Sequence, residues 1–211
     1  MHDVGTGGSG YDVQSASRIK ICGITAVDDA RFVENAGADA VGVVLCSDSP
    51  RAVEIETARE IFSSLGPFIA KVVVTHTRSP SDLLDILALR PTAIQLYHDL
   101  TIPKDSGVLT IRVVKRDGRV PTDCACLCVD ESMGSGRAYD PLFAREIVRV
   151  SSVPVMLSGG LSPENLRTAI ATVRPYAVDI CSGVEERPGR KDRRRVLQCI
   201  QISRGSPEFG I

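Results

Sequence analysis

Hydrophobic positions in this chain alternate between two rhythms: short unbroken apolar runs and longer stretches with an apolar stripe at helical spacing. Residues 19–24 open as a strand, and 28–37 follow with Ala30, Phe32, Val33 and Ala36 on one helical face. Gly37 stands where a helix C-terminus takes a left-handed cap. Ala40-Val-Gly-Val-Val-Leu45 is apolar throughout, which marks a strand covered on both faces. Residues 55–65 read as helix, 68–76 as strand, and 81–89 as a helix entered through Ser79-Pro80, where proline suits the first turn. The pattern then predicts strands at 93–97, 108–114 and 124–130, a helix at 141–150 and a strand at 154–157. A helix at 163–173, a strand at 177–181 and a last helix near 192–202 complete it.

That makes eight strands, with helices missing or reduced to a turn after strands 4 and 5, where only about 10 residues are available. Strand–helix alternation builds a parallel sheet, and eight units favour closure. The predicted fold is α/β, a single (β/α)8 TIM barrel. No G-x-G-x-x-G follows the first strand, which weighs against a dinucleotide fold. Residues 18–204 form the barrel domain. Residues 1–17 are polar, glycine-rich and aperiodic, and read as a disordered or tag-like segment; 205–211 read as a tail.

Composition narrows the function. A net charge of −1, four tyrosines and no tryptophan argue against a nucleic-acid surface. No apolar run is long enough to cross a bilayer, and no secretory signal is present, so no membrane partner is expected. The seven cysteines lie mostly in apolar runs and read as reduced thiols of a cytoplasmic protein. Cys124-Ala-Cys-Leu-Cys128 puts three thiols along one strand face, too spread to close a tetrahedral metal site, so they read as small core residues.

Candidate chemistry collects at strand ends, the working face of such barrels. Val155-Met-Leu-Ser-Gly-Gly160 and Asp179-Ile-Cys-Ser-Gly183 are apolar runs that break into glycine, where backbone N–H groups can approach a phosphate. The other strand ends supply Cys22-Gly23, residues 46–51 with Arg51, Tyr97-His98 and Asp130. This set has a thiol, a carboxylate and an arginine, but lacks the His/Asp/Glu crowd of a metal centre. The predicted partner is a small phosphorylated metabolite.

Six motifs in order carry a family resemblance: Lys20-Ile-Cys-Gly-Ile-Thr25, Ser49-Pro-Arg51, Gln95-Leu96, Asp130 ahead of Gly134-Ser-Gly136, Leu157-Ser-Gly-Gly-Leu-Ser-Pro-Glu-Asn165, and Asp179-Ile-Cys-Ser-Gly-Val-Glu185 with Gly189-Arg-Lys-Asp192. Over about residues 19–198 the chain resembles the phosphoribosylanthranilate isomerases of tryptophan biosynthesis. The resemblance implies an Amadori rearrangement of an aldosylamine into a 1-amino-2-ketose. It implies no cofactor and no metal, since one acid and one base suffice.

By the family's motif Cys22 is the general base and Asp130 the general acid. Arg51 would pair with the anthranilate carboxylate, and the amides of Gly159, Gly160, Ser182 and Gly183 would hold the phosphate. Asp179 is counted with the substrate-binding residues, bonding loop amides or supporting the site from behind. Lys20 shares the strand face of Cys22 and is a candidate cation for a thiolate.

Each residue also has a plain reading: Cys22 a small buried hydrophobe, Asp130 a cap, Arg51 a surface residue capping the next helix. His76 and His98 read as polar loop residues, and residues 190–195 as the solvated face of the last helix. Where the family continues Gln-Leu with histidine and glycine, this chain has Tyr97-His98, which turns the histidine to the opposite strand face. The competing expectations are a ribulose-phosphate epimerase or indole-glycerol-phosphate synthase relative, or a non-catalytic or differently specific phosphosugar-binding barrel. The epimerase would want histidine ligands at strand ends and the synthase a lysine and glutamate pair; neither set is evident. Oligomeric state is left as monomer or homodimer.

Overall fold

The structure, a computed structural model, describes residues 16–114, 116, 120–130 and 139–205. Eight parallel strands close into a barrel in which each pairs with the next and the eighth returns to the first. They are β1 (Arg18–Ile21), β2 (Ala40–Leu45), β3 (Ala70–Thr75), β4 (Ala93–Leu96), β5 (Leu109–Val114), β6 (Cys126–Val129), β7 (Val155–Leu157) and β8 (Ala177–Ile180). Helices α1 (Val27–Asn35), α2 (Ile55–Ser63), α3 (Pro80–Ala88), α4 (Pro141–Val150), α5 (Leu166–Val173) and α6 (Arg193–Ser203) are the barrel's six α-helices among the described residues. Between β4 and β5 the chain makes only a 3-10 turn, Lys104–Ser106, and between β5 and β6 no helix occurs among the described residues. The expected eight-stranded barrel forms, and among the described residues no α-helix follows β4 or β5 before the next strand.

Strand alternation sorts side chains into two cores. Outward residues such as Ile19, Ile21, Val41, Val43, Leu127 and Val178 pack in the layer shared with the helices. Inward residues Cys22, Val44, Val72, Val74, Ala93, Ile111, Cys128, Met156 and Ala177 fill the barrel. Local chemistry starts α4 where the sequence predicts, whereas α5 begins at Leu166, three residues later than expected. Asp140 caps α4 by accepting from the amides of Leu142 (2.8 Å) and Phe143 (3.1 Å), with Pro141 in the first turn; such a cap contributes about 1 kcal/mol.

Three readings change. The segment at 68–69 is not strand, and Phe68 is fully exposed. Cys124 precedes β6 and packs toward the helix layer while Cys126 and Cys128 face inward, so the three thiols do not share one strand face. The glycine turn after β8 leads first into a 3-10 turn, Ser182–Val184. An antiparallel ribbon follows, β9 (Glu185–Arg187) with β10 (Arg190–Lys191), and only then α6. The ribbon is tied to the β1 end, since Thr25 Oγ1 donates to the Gly189 carbonyl at 2.5 Å. Among the described residues no helix is long and apolar enough to cross a membrane. Residues 1–15, 134–136 and 206–211, which carry parts of the terminal-segment and motif readings, lie outside the described residues.

Candidate active site

The C-terminal strand ends surround a cavity of about 630 Å³. Cys22, Arg51, Asp130, Gly159, Gly160, Asp179 and Ser182 all line it. Gly183 does not. It packs directly beneath the β7 turn, where an added Cβ would fall 1.9 Å from the Leu161 carbonyl oxygen. Glycine is therefore required there for the turns after β7 and β8 to touch. Gly159 and Gly160 themselves adopt φ of 102° and 62°, a region that favours glycine. Among the described residues no backbone carbonyl accepts from their amides.

Beneath the cavity the barrel interior is charged. Lys20 Nζ lies 2.9 Å from Asp179 Oδ1 and donates to Gln95 Oε1 at 3.1 Å, and both Lys20 and Asp179 are almost fully buried. Burial works against the ammonium, but Asp179 overcomes it and holds the Lys20 pKa above its usual value. Burial pushes the Asp179 carboxyl up even beside Lys20. Cys22, two residues along β1 from Lys20, faces the same way, and Gly42 makes room for both. A Cβ on Gly42 would lie 2.8 Å from Cys22 Sγ and 2.9 Å from Lys20 Cε. A hydrogen bond from the Cys181 thiol, with help from the Lys20 ammonium, outweighs burial and brings the Cys22 thiol down to about 7. The same bond, together with burial, pushes Cys181 well up.

Arg51 is set by its own loop. The Arg51 amide donates to Ser49 Oγ (3.2 Å), and Val53 folds the chain back onto β2 through the Val44 carbonyl (3.0 Å). Its guanidinium donates from Nε to Glu185 Oε1 and Oε2, both at 3.0 Å, and from Nη2 to Oε2 at 2.7 Å. Glu185 also accepts from Lys191 Nζ (2.8 Å) and the Gly189 amide (3.2 Å). These donors hold the Glu185 carboxyl below its usual value against burial. The fork of Arg51 is thus engaged by a partner on the β9 ribbon, and Arg51 is not a surface cap.

On the opposite wall, Tyr97 donates from its hydroxyl to Asp130 Oδ2 at 2.5 Å. Its ring stacks on His76 with centroids 4.1 Å apart and planes 17° off parallel. Burial pushes the phenol far above its ordinary range, so it stays a donor. His98 takes the other face of the strand end, as its parity predicts, with Nδ1 2.9 Å from Arg78 Nη2. His76 is therefore part of the cavity wall and not an ordinary loop residue.

Sequence reasoning missed Glu185, Lys191, Cys181 and the Tyr97–Asp130 bond. The solvated-face reading of 190–195 fails at Lys191, which is 2% exposed, and at Arg195, whose Nε donates to the Gly183 carbonyl at 2.7 Å. No local signal marks it: the ribbon strand is two residues long, with Arg190 exposed and Lys191 buried.

A closed (β/α)8 barrel with a thiol, a carboxyl and glycine-rich turns around one mouth cavity places the chain among the TIM-barrel enzymes. The family model for N-(5'-phosphoribosyl)anthranilate (PRA) isomerase matches residues 19–202, and the chain belongs to that family. The N-(5'-phosphoribosyl)anthranilate isomerase of Methanoregula boonei is 55% identical over 188 residues, spanning 89% of this chain and 96% of the relative. The crystal structure of phosphoribosyl anthranilate isomerase from Thermus thermophilus matches with a TM-score of 0.77 at 34% identity, over 88% of this chain and 97% of the other. A phosphoribosyl anthranilate isomerase in complex with reduced 1-(o-carboxyphenylamino)-1-deoxyribulose 5-phosphate matches with a TM-score of 0.74 at 34% identity, over 90% and 99%.

Proposed function

We propose that this chain converts N-(5'-phosphoribosyl)anthranilate into 1-(2-carboxyphenylamino)-1-deoxyribulose 5-phosphate by acid–base catalysis, with Asp130 as acid and Cys22 as base. The observation that carries the reading is that Cys22 and Asp130, from opposite sides of the barrel, face one cavity. Asp130 gives its proton to the ribose ring oxygen. The bond from that oxygen to C1' breaks as the anilino nitrogen lone pair forms C=N. The Cys22 thiolate then removes the proton from C2', the electrons pass to nitrogen, and the resulting enol-amine becomes the ketose. A thiol held at about 7 is deprotonated in a useful fraction at neutral pH.

The other residues bind and orient. The amides of Gly159, Gly160 and Ser182 receive the phosphate, and Gly183 packs beneath the β7 turn to hold the two turns together. Glu185 holds Arg51 by Nε and Nη2, which leaves Nη1 for the anthranilate carboxylate. Asp179 works from beneath, keeping Lys20 charged under Cys22. Tyr97 fixes the Asp130 carboxyl from its Oδ2 side. All seven cysteines are free thiols, suited to the reducing cytoplasm.

The test is turnover of freshly prepared phosphoribosylanthranilate, followed by loss of its fluorescence. Cys22→Ser and Asp130→Asn each lower kcat by at least about 100-fold, while affinity for the reduced product analogue stays near that of the unaltered protein. Unchanged rates in both variants would overturn the assignment.

A further inference from the structure

The isomerisation needs one thiol at the cavity; three line it, Cys22, Cys46 and Cys181, and of these Cys22 and Cys181 stand side by side. In the β1–β8 ladder Lys20 pairs with Asp179 and Ile21 with Ile180, and the Cys22 amide continues it by donating to the Ile180 carbonyl at 2.9 Å. Cys22 and Cys181 are therefore the next pair along. Side chains two apart share a strand face. Since Lys20 and Asp179 meet inside the barrel, Cys22 and Cys181 meet one step above them. Gly23, next to Cys22, agrees: a Cβ on it would lie 2.8 Å from Cys181 Sγ. Neighbouring strands run about 4.8 Å apart, inside the Cα separation of about 4.4–6.8 Å that a disulfide spans. Both thiols line the cavity, so a small solute reaches them.

We propose that Cys22 and Cys181 form a dithiol modification site for small hydroperoxides, closing to a disulfide that removes the base. The Cys22 sulfur attacks the peroxide, the O–O bond breaks, and the leaving oxygen departs as water or alcohol, giving a sulfenic acid. The Cys181 sulfur then attacks that sulfenic sulfur. The S–S bond forms, and the hydroxyl leaves as water with the Cys181 proton. Two electrons have passed from the thiol pair to the peroxide, and a small dithiol returns them by exchange.

The electrostatics suit both roles. The Cys22 thiol is brought down to about 7, whereas burial pushes Cys128 and Cys199 up. The first cause that holds Cys181 up is its hydrogen bond to Cys22, and the Cys22 charge adds to it. Conversion of Cys22 to an uncharged sulfenic acid removes that charge, so the first oxidation prepares the second thiol to attack.

The loss of turnover rests on the isomerase reading; formation of the crosslink does not. The experiment treats the purified protein with equimolar hydrogen peroxide at neutral pH, quenches by alkylation, and maps peptides alongside turnover. The expected result is a peptide pair joined through residues 22 and 181, with turnover falling in proportion and recovering in dithiothreitol. Cys181→Ser should instead accumulate a dimedone-reactive Cys22, and a second equivalent of peroxide should carry it to a sulfinic acid that dithiothreitol does not reverse. Oxidation confined to other cysteines, or sulfinic Cys22 without the 22–181 peptide in the unaltered protein, overturns the dithiol site. A complete 22–181 crosslink with full turnover confirms the site and overturns Cys22 as the base.

Discussion

The bond between Tyr97 and Asp130 offers the sharpest quantitative test. In the proposed reaction Asp130 begins as a neutral acid and ends as a carboxylate beside the opened sugar. The Tyr97 hydroxyl, 2.5 Å from Oδ2, therefore makes a neutral hydrogen bond at the start and a charge-assisted one as the proton leaves. Charge assistance roughly doubles such a bond, so the bond strengthens by about 1–2 kcal/mol on the way to the transition state. Tyr97→Phe should therefore lower kcat by about 5- to 30-fold. KM should stay within about 2-fold, because the lost interaction grows only in the transition state. Phenylalanine keeps the stack on His76, so the wall of the cavity is preserved. Steady-state kinetics of Tyr97→Phe, Asp130→Asn and the double variant complete the cycle. In the Asp130→Asn background the tyrosine change should have no further effect on kcat. An unaltered kcat in Tyr97→Phe, or the same fold-loss repeated in the double variant, would refute the reasoning.

Two further outcomes follow from the site's geometry. With the Cys22 thiol at about 7, inactivation by iodoacetamide should speed up with pH through a midpoint near 7, because only the thiolate is alkylated; a midpoint delayed to the usual thiol range near 8.5 would contradict the lowering by Cys181 and Lys20. Gly183→Ala would drive a Cβ into the Leu161 carbonyl, 1.9 Å away, so it should cost about 1–3 kcal/mol and raise KM by at least about 10-fold as the two glycine turns part; normal melting with normal KM would show that the turns do not touch.

The barrel itself was legible because buried parallel strands leave unbroken apolar runs, and Ala40–Leu45 shows such a run as plainly as any. Strand parity also read through to the site: Lys20 and Cys22 share a face, and His98 turns away where Tyr97 turns in. The ion cluster was not legible. Arg51 and Glu185 are 134 residues apart in sequence, and Lys191 sits in a basic run whose composition resembles a solvated surface. A two-residue strand in a ribbon, too short to show a period, is what turns it inward.

Local pattern thus settled which side chains face the barrel axis, because the alternation of a pleated strand is a property of the chain alone. Which of those side chains meet was settled elsewhere. Closure of β8 onto β1 sets Cys181 beside Cys22 and Asp179 beside Lys20, and the reach from β4 past β5 sets Tyr97 on Asp130. Such contacts depend on strand order and register around a closed sheet, and no stretch of sequence shorter than the whole barrel contains them.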